Sequence, residues 1–173
     1  MDFHSQLMKT QYNENYRLCS DVPVPIPGPH ELLIRVAAAG FCHTDYQVYQ
    51  GAYGTHLPFT GSHEPAGTIM QLGSDVIGDW KIHDRVGVLN FRDPCNLCSG
   101  CRWRMKMVGS LDARYCEKKT MSGILGADGG FAEYMVASDS ALVHLPDNLS
   151  FEQAAPLMCA GVSERCDFLR RLF

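Results

Sequence analysis

Glu31-Leu-Leu-Ile-Arg-Val-Ala-Ala-Ala39 is an apolar, β-prone run that stops at Gly40, where a residue without a side chain lets the backbone turn. Immediately upstream, residues 22–30 read VPVPIPGPH. Four prolines there remove four backbone donors, so this stretch is expected to be extended and unable to continue a ladder. Downstream, Gly, Pro and Asp punctuate further short β-prone runs at Ala66–Leu72, Arg85–Phe91, Phe131–Val136 and Ala141–Leu145. Such spacing predicts a mainly β fold, a barrel or sandwich, rather than alternating βαβ units. After Pro146, Ser150 and Gln153 form a candidate capping box that opens a helix at Phe151, and Pro156 is expected to break or restart it.

The totals set limits on this picture. At 173 residues the chain can bury one good core. Hydrophobic residues make up 46% and charged residues 20%, an ordinary globular balance. A net charge of −4 argues against a nucleic-acid partner, which usually requires a basic face. No apolar run approaches the length of a membrane span, and residues 1–21 lack the apolar centre of a secretory signal. A cytoplasmic location is the default expectation. In that compartment eight cysteines are expected to be metal ligands or free thiols, not disulfides.

Four of those cysteines are concentrated in one excursion, residues 93–119, between the third and fourth β-prone runs. Cys95-x2-Cys98-x2-Cys101 is followed by Cys116. Four soft sulfur donors in a compact loop suit tetrahedral Zn²⁺ in a closed, structural site. An iron–sulfur cluster is the nearest rival, but its motif needs a cysteine and a proline where Met105 and Lys106 stand. Two shorter clusters, Gly40-Phe-Cys42-His43-Thr44-Asp45 and Gly61-Ser62-His63-Glu64, also carry metal-competent side chains, as does Cys159 in Pro156-Leu-Met-Cys-Ala-Gly161. Each alone reads more readily as packing or as a hydrogen-bonded histidine.

Taken together and in order, GFCHTD, GSHEPAGTI, the C-x2-C-x2-C lobe, DGGFAEYM and FEQAAPLMCAGV resemble the zinc-dependent medium-chain alcohol dehydrogenases over about residues 23–163. The resemblance implies a GroES-like, partly open β-barrel over residues 1–163 with a zinc-bound Cys-rich lobe at 93–119. It implies one catalytic zinc on Cys42, His63 and Cys159 and one structural zinc on Cys95, Cys98, Cys101 and Cys116. Glu64 matches a carboxylate beside the ligand histidine, Asp45 the group that orients that histidine, Thr44 the hydroxyl that meets the substrate oxygen, and His43 a contact to the cofactor pyrophosphate. The implied reaction is NAD- or NADP-linked oxidation of an alcohol to an aldehyde or ketone, or the reverse, through a zinc-bound alkoxide.

Four departures accompany the resemblance. Gln47 stands where many relatives carry the histidine that ends a proton relay. Fourteen residues separate Cys101 from Cys116, about twice the usual interval, and Trp103, Met105, Met107 and Leu111 within them are expected to pack as a small flap. None of the sixteen glycines forms a G-x-G triplet, so the pyrophosphate-binding turn of a Rossmann domain is expected to be absent. Residues 164–173 depart from the family pattern and read as a divergent, amphipathic tail. The expected partners are a small alcohol or carbonyl substrate, with no nucleic acid or membrane, and a protein partner at an exposed sheet edge or this tail. Activity of the chain alone is doubtful on this reading, and its alternative is a catalytically inactive zinc-binding remnant or interaction module.

Overall fold

The computed structural model describes residues 3–161. In chain order the strands and helices are β1 (Phe3–Lys9), β2 (Arg17–Pro23), β3 (Glu31–Ala39), α1 (His43–Gln50), β4 (Phe59–Thr60), β5 (Pro65–Leu72), β6 (Arg85–Val88), β7 (Phe91–Arg92), α2 (Ser99–Val108), β8 (Thr120–Ser122), β9 (Gly126–Ala127), β10 (Tyr134–Ser138), β11 (Leu142–His144) and α3 (Phe151–Leu157). The described residues are mainly β with three short α-helices, and among them the sheets do not close on one another. Among the described residues no helix is long and apolar enough to cross a membrane.

The run that opens the sequence argument, β3, lies inside a five-stranded sheet of order β10-β3-β5-β6-β11, antiparallel throughout. Leu32 and Ile34 of β3 pack with Ile69, Val86, Val88 and Met135 into the principal core. Against β5, the register of β3 shifts between Leu33 and Ile34 and again between Val36 and Ala38. Such irregularities bend a strand and raise its twist, which carries the C-terminal end of β3 toward α1. Helix α3 covers the sheet through Ala154, Ala155 and Met158. Its capping box is formed, Ser150 and Gln153 each accepting from the other's backbone N–H. Pro156 is accommodated in the final turn, and the helix ends one residue later at Leu157.

Two smaller sheets flank this one, ordered β2-β1-β4 and β7-β8-β9. The first corrects the reading of the N-terminus, where no strand was expected: Val22 and Pro23, assigned to the proline-rich extension, end β2 and pair with His4 and Phe3. The β-prone run Arg85–Phe91 is split, β6 ending at Val88 in the main sheet and Phe91 pairing with Met121 in the third. The run expected from Phe131 begins as a strand only at Tyr134; Phe131 instead bonds across to Gly61 and Leu7. Phe3, Leu18 and Ile26 are exposed. Residues 164–173 lie outside the described residues.

Candidate metal centres

At the end of β3 the chain passes Gly40 and places Cys42 as the N-cap of α1, its sulfur accepting from the Thr44 N–H at 3.2 Å. Asp45 closes a capping box by accepting from the Cys42 N–H at 2.9 Å. Its other oxygen accepts from the Ser62 N–H at 3.1 Å and lies 3.3 Å from His63 Nδ1. Asp45 is fully buried, and these three donors satisfy a charge that would otherwise be costly to remove from water. With Nδ1 engaged by the carboxylate, His63 presents Nε2 toward Cys42 Sγ at 3.3 Å.

The backbone around His63 is built for close approach. Ser62 adopts a positive φ of 70°, an uncommon conformation for a residue with a side chain. A Cβ on Gly129 would lie 2.0 Å from the Ser62 carbonyl oxygen, and one on Gly123 equally close. The glycines of DGGFAEYM and of the β8–β9 turn thus admit the loop that aims His63 inward. Glu64 follows it, buried, with Oε1 3.9 Å from His63 Nε2. Cys159 arrives from the far end of the chain, just beyond α3.

One ligand atom from each of Cys42, His63, Glu64 and Cys159 lies within 4.8 Å of the others. Burial pushes the Cys159 thiol up to about 12, reinforced by the neighbouring Cys42 and Glu64 charges, and burial also raises Glu64. Two thiols, an imidazole and a carboxylate have therefore been gathered, and among the described residues no Lys or Arg forms an ion pair with them. A soft divalent ion with tetrahedral preferences fits that donor set and its charge deficit.

The second group comprises Cys95, Cys98, Cys101 and Cys116, whose sulfurs also lie within 4.8 Å of one another. Cys98 is the N-cap of α2, and its sulfur accepts from the backbone N–H groups of Cys101 and Glu117, each at 3.4 Å. Those of Glu117 and then Cys101 hold the Cys98 thiol down at about 6. Burial drives Cys101 up to about 12. Cys116 accepts from the Cys95 N–H at 3.4 Å, so the long interval before it does not remove it from the cluster. A Cβ on Gly100 would sit 1.9 Å from the Tyr115 carbonyl oxygen, which shows how tightly the first turn of α2 seats on the Ala113–Tyr115 turn. Four sulfurs, with backbone N–H groups donating to Cys98 and Cys116, fit a closed tetrahedral ion.

The expected flap takes a different form. The interval after Cys101 continues as α2, in which only Cys101 is buried; Trp103 is 51% and Met107 63% exposed. Trp103 touches Tyr115 ring to ring at 5.5 Å, but the remaining apolar side chains have no core to enter. Of the other residues singled out, Thr44 lies in the first turn of α1 beside Cys42, and His43 is exposed at its start, 6.0 Å from the Tyr46 ring. Gln47 accepts from the Tyr53 hydroxyl at 3.2 Å. Ser62 was not singled out from the sequence; its only signal was its place before His63, with no hint of the positive φ.

Comparison with known proteins gives the family and the fold. Residues 28–147 match the alcohol dehydrogenase GroES-like domain. An alcohol dehydrogenase from Geobacillus stearothermophilus is 38% identical over 135 residues, covering 77% of this chain and 37% of that protein. A cinnamyl alcohol dehydrogenase from Sorghum bicolor superposes with a TM-score of 0.77 at 26% identity, covering 96% of this chain and 48% of that one. A cobalt- and zinc-bound thermostable alcohol dehydrogenase from Pyrobaculum aerophilum gives 0.73 at 29% identity, over 90% and 45%. The chain spans less than half the length of each of these relatives. With the match covering most of its length, the chain belongs to the alcohol dehydrogenase GroES-like domain family.

Proposed function

We propose that this chain is the zinc-holding catalytic portion of an alcohol dehydrogenase, acting on a small alcohol or carbonyl compound with NAD or NADP. The observation that carries this reading is the convergence of Cys42, His63, Glu64 and Cys159 within 4.8 Å over a buried Asp45, with Thr44 two residues after Cys42 in the first turn of α1. Cys42, His63 and Cys159 would hold one zinc ion, and Cys95, Cys98, Cys101 and Cys116 a second. The first would supply Lewis acidity, making a hydroxyl more acidic or a carbonyl more electrophilic.

The chain's own residues do the rest of the positioning. Asp45 fixes the protonated Nδ1 tautomer of His63 and so keeps Nε2 a donor of electrons. Thr44 offers a hydroxyl that both accepts and donates, the property needed to receive a proton from a substrate oxygen. Glu64, buried and raised in pKa, is a reserve oxygen ligand. Gln47 cannot exchange protons, so an outward path from Thr44 has to pass through water or the Tyr53 hydroxyl bonded to it. His43, exposed at the start of α1, would contact a cofactor phosphate on this reading. Hydride acceptance belongs to the nicotinamide cofactor, whose binding unit further sequence or another chain would provide. Residues 1–163, with the lobe at 93–119, form the catalytic unit on this reading.

Zinc content of the purified chain and nicotinamide binding test it. Two zinc ions per chain with saturable quenching of NADH or NADPH fluorescence by the complete protein supports the reading. One zinc confined to the lobe, with no nicotinamide response, supports a structural remnant instead.

A further inference from the structure

The interval between Cys101 and Cys116 creates a surface that the dehydrogenase reading does not use. Helix α2 carries Arg102, Arg104 and Lys106 and no acidic residue. Met105, Met107 and Val108 are exposed between and after them. Arg102 and Lys106, one turn apart, flank an open recess of about 370 Å³ floored by Met105 and Leu111. Among the described residues neither cation forms an ion pair, whereas Arg104 and Arg114 both reach Asp112. A helix of this length gains little from its own propensity, and exposed methionines beside free cations mark an adaptable docking face.

The complementary chemistry is displayed elsewhere on the same chain. The segment between β5 and β6, residues 73–84, carries Asp75, Asp79 and Asp84 against Lys81. Asp75 and Asp79 are exposed, and Ile77 and Ile82 stand out from the same segment at 71% and 51% exposure. Its backbone is held firmly: the Asp75 N–H donates to the Pro29 carbonyl and the Ile77 N–H to Asp139. Among the described residues no ion pair joins this acidic, apolar segment to α2. One chain thus offers a basic apolar surface and an acidic apolar one, each unsatisfied by the other.

We propose that two copies of this chain pair reciprocally, α2 of each docking on residues 73–84 of the other. Reciprocal use of two complementary patches closes a two-fold dimer and leaves neither patch free. Aliphatic contacts of Met105, Met107, Ile77 and Ile82 supply buried area, and the Arg102 and Lys106 charges opposite Asp75 and Asp79 set the register.

Sedimentation velocity on the zinc-loaded chain, over about 1–100 µM, reads the association; a contact held by exposed charges weakens with salt because screening shortens their reach. The expected result is a species of twice 19.2 kDa, with a dissociation constant at least about tenfold weaker at high salt. Arg102→Glu with Lys106→Glu, and separately Asp75→Lys with Asp79→Lys, should each weaken self-association at least about tenfold. Mixed one to one, the two double variants should re-form a heterodimer, since every reversed charge then meets its opposite. Circular dichroism and zinc content show whether each variant is folded. A wild-type chain that stays monomeric throughout overturns the proposal, as does a dimer indifferent to both reversals or a mixture that fails to pair. A chain that stays monomeric yet sediments with phosphatidylserine vesicles, or with an acidic amphipathic peptide, assigns α2 to another partner and also overturns it.

Discussion

Replacing Asp45 by asparagine turns one carboxylate oxygen into an NH2 group at a place where three donors converge. One carboxylate oxygen accepts from the Ser62 N–H at 3.1 Å and meets His63 Nδ1 at 3.3 Å; the other accepts from the Cys42 N–H at 2.9 Å. An amide can keep only one oxygen, so its NH2 must face an N–H whichever way it turns. In the better orientation the bonds to Ser62 and His63 survive, while the Cys42 N–H and the new amide group are both left buried and unpaired. Each such group costs about 1–3 kcal/mol, giving about 2–6 kcal/mol against a whole-domain stability of roughly 5–15 kcal/mol. In a chain of this size that lowers Tm by roughly 5–20 °C. The second effect is on the metal: His63 loses the anionic partner that holds its tautomer, and outer partners of this kind typically contribute about 10–100-fold in affinity. Chelator competition, following the two zinc ions separately, together with thermal unfolding, measures both. The lobe ion should be unaffected. Asp45→Asn with unchanged Tm and unchanged affinity at the buried site would refute the argument that this carboxylate organises it.

Three further outcomes are expected. Cys98→Ser removes a sulfur donor but leaves a hydroxyl able to cap α2, so zinc should fall from two ions per chain to one through the lost ligand and not through a lost cap; retention of both ions counts against the lobe site. Gly129→Ala places a Cβ 2.0 Å from the Ser62 carbonyl oxygen, and backbone cannot yield cheaply. About 1–3 kcal/mol of stability should be lost, with weaker metal binding at His63 while the lobe keeps its ion in the same titration. His4 is buried, and burial holds its imidazole below the ordinary 6.5 despite Glu133 nearby. The unfolded chain therefore binds more protons than the folded one in the window below 6.5. Its contribution is fully present above about 6.5 and is lost as pH falls toward the lower folded value. Urea midpoints for wild type and His4→Phe should diverge from neutral to acid pH, wild type losing more; parallel curves would remove His4 as the cause.

How legible these features were depends on what holds each one together. The β3 run was readable to the residue because its inward side chains are Leu32, Leu33 and Ile34, and the α3 capping box because Ser150 and Gln153 act locally. The metal donors were legible as motifs, but the convergence of Cys42, His63 and Cys159 was legible only through the family resemblance, since nothing in the residues themselves fixes a distance between them. The hairpin β1–β2 was missed for a physical reason: it buries His4 and Lys9 and exposes Phe3 and Leu7, the reverse of the usual alternation. Lys9 tolerates this by lying 3.8 Å from the centre of the Tyr49 ring. Helices α1 and α2 were equally hidden. Each starts on a cysteine sulfur and has too few buried apolar residues to show a stripe, Val48 in one and Cys101 in the other.

The chain positions of the two donor sets impose an order on how the protein matures as it leaves the ribosome. Cys95 to Cys116 is a short span that can fold around an ion as soon as it emerges, whereas Cys42 and His63 must wait for Cys159 and for α3 to dock on the sheet. Closing that larger loop costs more entropy and comes later. On the two-zinc reading, the lobe would be a site that any nascent chain can fill, and the buried site a checkpoint passed only by a chain whose sheet and final helix are already assembled.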